Sequence, residues 1–321
     1  MSNLHVSAAP HINSGATTHN VMRDVAIALL PATVAAVVLF GLQALLIVLV
    51  CVASAVLSEL VFNLLCKKKQ TIFDMSAVVT GLILALNLST QVPLWQCAVG
   101  SVFAIIVVKC LFGGLGKNIA NPAIAARVFL LLAFTGTVAG GTLPLLGTDT
   151  SFFSVALSDP ADIIVSGATP LANLGEANLL TLLIGNHGGT IGETCAIALL
   201  LGYAYLVWRG VIKWYVPFAF VATVFGLYLV TTGDFKLSLA HVLAGGLLFG
   251  AIFMATDYVT TPLSNLGKVV FCIGCGLITF AIRTGYLGGY PEGVSISILF
   301  MNLLTPLIEK WTNPRTLGGV K

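Results

Sequence analysis

Charge is what this chain has least of. Fifteen Lys and Arg and twelve Asp and Glu make up 8% of 321 residues, against roughly a quarter in a soluble globular domain. A chain so poor in charge and 58% apolar would precipitate in water, which excludes a soluble enzyme. The net charge of +3 is small, and its Lys and Arg lie beside apolar runs rather than in one basic patch, so no nucleic-acid partner is expected. A removable signal is missing too. The first 23 residues are polar, and the first apolar stretch, from about Val25 to Gln43, is too long for a signal core. It is expected to stay as a membrane helix.

Metal and nucleotide signatures are equally sparse. The five histidines share no helical face: His5, His11 and His19 lie in the polar tail, with His187 and His241 far apart beyond it. Among the cysteines only Cys272 and Cys275 form a C-x-x-C, and no second thiolate pair accompanies them. Packing as small hydrophobes therefore ranks above iron–sulfur ligation. Gly113 to Asn118 has neither a Ser or Thr after Lys117 nor the full phosphate-loop spacing, so nucleotide hydrolysis is not expected and a tight turn is.

What the chain does have is apolar windows. They fall near 24–42, 44–65, 75–90, 94–112, 122–138, 194–208, 214–231, 239–255, 268–284 and 294–308. At about 20 residues per crossing they predict an all-α polytopic membrane protein of about ten transmembrane helices. With the amino terminus in the cytoplasm, Arg23, Lys67, Lys68, Lys69, Lys117, Arg209, Lys213, Lys268, Lys310, Arg315 and Lys321 all fall at cytoplasmic ends. Only Lys236 and Arg283 fall outside. The loop over 139–193 carries acids and no Lys or Arg, which puts it outside, and both termini are then cytoplasmic.

The chain also repeats itself. Gly81 followed by Pro93 recurs as Gly250 followed by Pro262, and Lys109 before Gly113-Gly114 resembles Arg283 before Gly288-Gly289, at an offset of about 170 residues. That offset spans five helices, an odd number, so equivalent helices run in opposite directions as an inverted repeat. The reading is one membrane domain over 1–321. It divides into a cytoplasmic tail (1–23), a first helical repeat (24–138), an outer loop (139–193) and a second repeat with the carboxyl terminus (194–321).

Ionisable groups within the bilayer are functional candidates, because burying charge there is costly. Glu59 and Asp257 are the ion-pathway candidates, whereas Lys109 and Arg127 read as buried pairs or snorkelling side chains. In the outer loop, Ser166-Gly167-Ala168-Thr169 follows Asp162. Alone it reads as a turn of small residues or as a sterically open hydroxyl that another enzyme could modify.

The segment resembles a flavinylation motif, an Asp shortly before Ser-Gly-Ala-Thr. Its companions are Pro10-His11, Leu29-Leu30-Pro31-Ala32, Gly113-Gly114-Leu115-Gly116-Lys117-Asn118 with Asn121-Pro122, Phe253-Met254-Ala255-Thr256-Asp257 and Gly288-Gly289-Tyr290-Pro291-Glu292-Gly293. Over nearly its whole length the chain resembles the family that holds the D subunit of the Rnf ion-translocating ferredoxin:NAD oxidoreductase and the B subunit of the sodium-translocating NADH:quinone oxidoreductase. The short amino-terminal tail favours the Rnf type.

The resemblance implies FMN joined through its phosphate to Thr169 by a flavin transferase acting outside the bacterial or archaeal cytoplasmic membrane. Asp162, Ser166, Gly167 and Ala168 would complete that motif, and Tyr290 is offered as a stacking partner for the ring. It further implies a second, non-covalent flavin (riboflavin), and as partners the other membrane and peripheral Rnf subunits, including a second flavoprotein, besides membrane lipid. Ser14-Gly15-Ala16-Thr17 repeats the tetrapeptide, but on the cytoplasmic side and without a preceding Asp, so Thr169 is the expected acceptor. From a different class, a stand-alone channel for a small solute suits an inverted repeat equally well.

Overall fold

The computed structural model describes residues 17–144, 166–167, 171, 178–286 and 293–312. Its helices are α1 (Thr18–Phe40), α2 (Leu42–Leu65), α3 (Ser76–Leu86), α4 (Leu94–Val102, continued as a π-helix over Phe103–Cys110), α5 (Pro122–Ala133) and the short α6 (Thr135–Val138). After the outer-loop region come α7 (Leu179–Ile184), α8 (Ala196–Trp208), α9 (Tyr215–Thr232), α10 (Phe235–Leu243), α11 (Leu247–Phe249, with a π-helix over Gly250–Met254), α12 (Asn265–Arg283) and α13 (Val294–Thr312). Two short strands, β1 (Gly141–Thr142) and β2 (Ser166–Gly167), pair antiparallel.

Each of the ten apolar windows coincides with helix, but the helices differ in length. Five of them, α1, α2, α9, α12 and α13, are long and apolar enough to cross a membrane, and α10 with α11 forms a sixth candidate bent by 65°. The remaining four, α3, α4 with its π continuation, α5 and α8, run 10 to 17 residues, below the roughly 20 of a full straight span. The chain is thus a largely helical multi-pass membrane protein with short helices inside it. One of them, α3, ends where other backbone meets it. Beyond α3, Gly192 N–H donates to Leu86 O at 2.7 Å and Ile191 N–H to Leu88 O at 2.9 Å. Non-helical backbone at such depth is tolerated only where protein satisfies it in this way.

The first two helices show how a membrane sequence builds a bundle. On α1, Leu30, Val34 and Val38 stand one turn apart and are exposed, whereas Ala28, Ala32 and Ala36 are buried. The large apolar groups face lipid and the small ones let neighbouring backbones approach, the reverse of a water-soluble helix. Gly41 separates α1 from α2 at φ 74° and ψ −159°, a conformation essentially restricted to glycine, so a single residue breaks the helix. The first helix also begins several residues ahead of its apolar window because Thr17 caps it, its hydroxyl accepting from Asn20 N–H at 3.3 Å.

One end of the bundle gathers the starts of α1 and α5 and the ends of α4 and α8 around a shared cavity. Ser264 to Thr312 and Leu263 to Glu309 hydrogen bonds bring the start of α12 to the end of α13 there. Exposed Lys67, Lys68, Lys69, Lys117, Lys213 and Lys310 decorate this lysine-rich end. The β1 and β2 ribbon lies with the chain segments that follow α3 and precede α8.

Candidate functional site

The described part of the tetrapeptide, Ser166-Gly167, is extended backbone. Ser166 pairs with Thr142 and Gly167 with Gly141, and Thr142 exchanges both N–H···O bonds with Gly189 at 3.1 Å each. Three separate chain segments are thereby laced into one ribbon. Asp162, Ala168, Thr169 and Tyr290 lie outside the described residues.

Just beyond Gly189 the chain reaches a buried ion pair. Arg127 on α5 donates to Glu193 Oε1 at 2.8 Å; the two residues are 5% and 3% exposed. Local sequence builds each half. Asn121 caps α5 by accepting from Ala123 N–H at 3.0 Å with Pro122 in the first turn, which aims Arg127 at the carbonyl end of α3. There Asn87 donates to Ile83 O at 2.7 Å and accepts from Arg127 Nη1 through its other amide atom. The Glu193 carboxylate lies against Gly246, where an added Cβ would overlap it, at the amino-terminal start of α11. A carboxylate is favoured at a helix amino terminus and a guanidinium at a carboxyl terminus. The pair therefore stitches two short helices end to end.

A second buried pair sits nearer the lysine-rich end. Lys109 Nζ lies 2.9 Å from both Glu59 carboxylate oxygens and 2.8 Å from Ser76 Oγ at the start of α3. Thr71 donates to the same carboxylate and accepts from Asn63 at 3.1 Å. Lys109 is 2% exposed and Glu59 1%, so Glu59 is held as one half of a fully bonded pair, and both Lys109 and Arg127 are buried pairs. Asp257, by contrast, faces the cavity of about 70 Å³ bounded by Thr80, Lys109, Asn118 and Phe253. It accepts from Thr260 at 3.0 Å and Val259 N–H at 3.4 Å.

Across the bend between α10 and α11, Arg283 donates to His241 O at 2.8 Å and to Ala244 O at 3.4 Å. The His241 ring stacks on Tyr228 at 3.6 Å. The paired thiols Cys272 and Cys275 are both buried, and among the described residues no cluster of His, Cys, Asp and Glu could hold a metal ion.

Comparison with known proteins decides the lineage. A family model described as the NQR2, RnfD, RnfE family matches residues 5–318. The chain belongs to this family. It is 46% identical over 327 residues to the D subunit of the Na(+)-translocating ferredoxin:NAD(+) oxidoreductase complex of Acetobacterium woodii, covering 99% of this chain and 96% of that one. The D subunit of a proton-translocating ferredoxin:NAD(+) oxidoreductase complex from Clostridium ljungdahlii is 38% identical, covering 98% and 96%. The D subunit of the ion-translocating oxidoreductase complex of Stutzerimonas stutzeri is also 38% identical, covering 93% and 91%. Relatives at 46% and 38% identity are thus named for different ions.

Reading the sequence did not single out Glu193, which counted only as one acid among several in the loop over 139–193. Gly192, just ahead of it, lies against Leu86 where an added Cβ would clash, which lets this stretch pack against α3. A signal was available: an arginine inside a membrane helix needs a counter-charge, and no neighbour within Arg127's own helix supplies one.

Proposed function

We propose that the chain is the D-type membrane subunit of an ion-translocating oxidoreductase, carrying FMN covalently on Thr169 and coupling ferredoxin:NAD electron transfer to sodium or proton movement. Its family and its relatives' names support the assembly, which brings other membrane and peripheral subunits, a second flavoprotein among them, a flavin transferase for maturation, and membrane lipid. The observation that carries the coupling is the continuity from the Ser166-Gly167 strand through Thr142 and Gly189 to the buried Glu193 and Arg127 pair. The buried hydroxyls of Ser89, Thr190 and Thr194, without partners among the described residues, belong to the same segments and suit a polar route there.

The flavin supplies the one-electron and two-electron redox chemistry; Thr169 would hold its phosphate, with Asp162, Ser166, Gly167 and Ala168 as the remainder of the motif and Tyr290 as stacking partner. Placing the lysine-rich end in the cytoplasm puts that motif on the outer face of the cytoplasmic membrane. Ten crossings in two inverted halves draw support from recurring neighbours: α2 packs on α4 as α9 does on α12, and α4 on α5 as α12 does on α13. Lys109 reaches the start of α3 much as Arg283 reaches the break before α11. A second, non-covalent flavin at the junction of the halves fits less well. The cavity there, about 70 Å³, is far below the roughly 300 Å³ or more of small-molecule pockets, so no residues are assigned to it. Glu59 and Asp257 remain the ion-pathway candidates, with Asp257 the one that faces open space.

In-gel flavin fluorescence of the denatured subunit tests this reading. The wild-type band and a Thr17→Ala band are expected to fluoresce and a Thr169→Ala band to be dark. A dark wild-type band would favour the stand-alone channel, and loss on Thr17→Ala alone would reverse both acceptor and orientation.

A further inference from the structure

Between the α8 to α9 turn and the α11 to α12 connection, at the lysine-rich end, lies a cavity of about 140 Å³, against about 30 Å³ for a liquid water. Its wall includes Lys213, Lys268, Tyr258 and Thr261 and no carboxylate. Lys213 spends one proton on Asn265 Oδ1 and keeps two; Lys268 has no acceptor among the described residues. Two ammonium groups facing one space repel each other unless an anion sits between them. Tyr258 of the wall is also exposed at its edge. Aromatic side chains flanked by lysines mark a membrane–water interface.

We propose that this cavity binds the phosphate of an anionic phospholipid, its two lysines holding the headgroup beside Tyr258. Basic pockets between membrane helices commonly take lipid phosphates, and the exposed Tyr258 ring of the wall offers apolar surface that a soluble anion would leave unused. The site shares Val211, Ile212, Thr256 and Tyr258 with the wall of the Asp257 cavity, so the headgroup would sit beside the candidate ion-pathway carboxylate. The inference uses the membrane placement proposed above only to set these loops at the interface, and it does not depend on the flavin.

The test is native mass spectrometry of the purified whole complex in nanodiscs of phosphatidylglycerol mixed with phosphatidylcholine, counting phosphatidylglycerol retained through detergent exchange. Wild type and a Lys236→Gln control are expected to retain it equally. A Lys213→Gln, Lys268→Gln double variant should retain it about thirtyfold more weakly, following from about 1 kcal/mol per lysine at a membrane surface. In-gel flavin fluorescence of the same samples reports folding and the separate flavin reading. Equal retention by the double variant would overturn the proposal. So would displacement of the lipid by inorganic phosphate, which identifies a free-anion site, or loss of a subunit from the double variant, which identifies a protein contact.

Discussion

Arg127 and Glu193 are two buried charges at the point where the short helices meet. Removing one partner of a buried pair strands the other, at a cost of about 3–5 kcal/mol, whereas replacing both by apolar residues of similar size costs far less. Glu193→Leu is expected to lower the thermal unfolding midpoint of the solubilised complex strongly, and Arg127→Met with Glu193→Leu to recover most of that loss. Additive losses in scanning fluorimetry would mean that the pair is not the organising contact. Asp257 faces open space at the cavity. Asp257→Asn is expected to impair ion transport while leaving the flavin band intact; unchanged ion transport would count against it as a pathway residue.

Among the elements, the ribbon is the least conspicuous and the most consequential. Two-residue strands contribute little packing, so their hydrogen bonds fix where Ser166-Gly167 lies. Thr142→Pro deletes the N–H that donates to Gly189 O and cannot rejoin the ladder. If the ribbon presents the motif to its transferase, flavin fluorescence of the Thr142→Pro band should drop well below wild type at equal protein; an equal signal would show that the motif is modified without it. The helices were legible where an apolar run and its termini coincide, as on α2. They were less so on α1, where capping by Thr17 extends the helix ahead of the window. The bend between α10 and α11 was signalled only by the Gly245-Gly246 pair, because hydropathy carries no information about direction.

Over the whole molecule, orientation is the property to measure. Cys66 is exposed at the lysine-rich end and Lys236 is exposed elsewhere. In a chain whose other cysteines are Ala, a membrane-impermeant maleimide applied to intact cells should label a Lys236→Cys variant and leave Cys66 untouched until the cells are broken. The opposite pattern would invert the topology and place Thr17 on the side of the transferase. Composition alone determined that this is a many-helix membrane protein, since a chain with 8% charge has no other solvent. The motif residues, quoted in order, determined the family. Only the tertiary structure decided which charges meet. Arg127 and Glu193 lie 66 positions apart, and Lys109 and Glu59 lie 50 apart. Such pairings arise from helices packing end to end and side by side, a three-dimensional juxtaposition that no local pattern of hydropathy encodes.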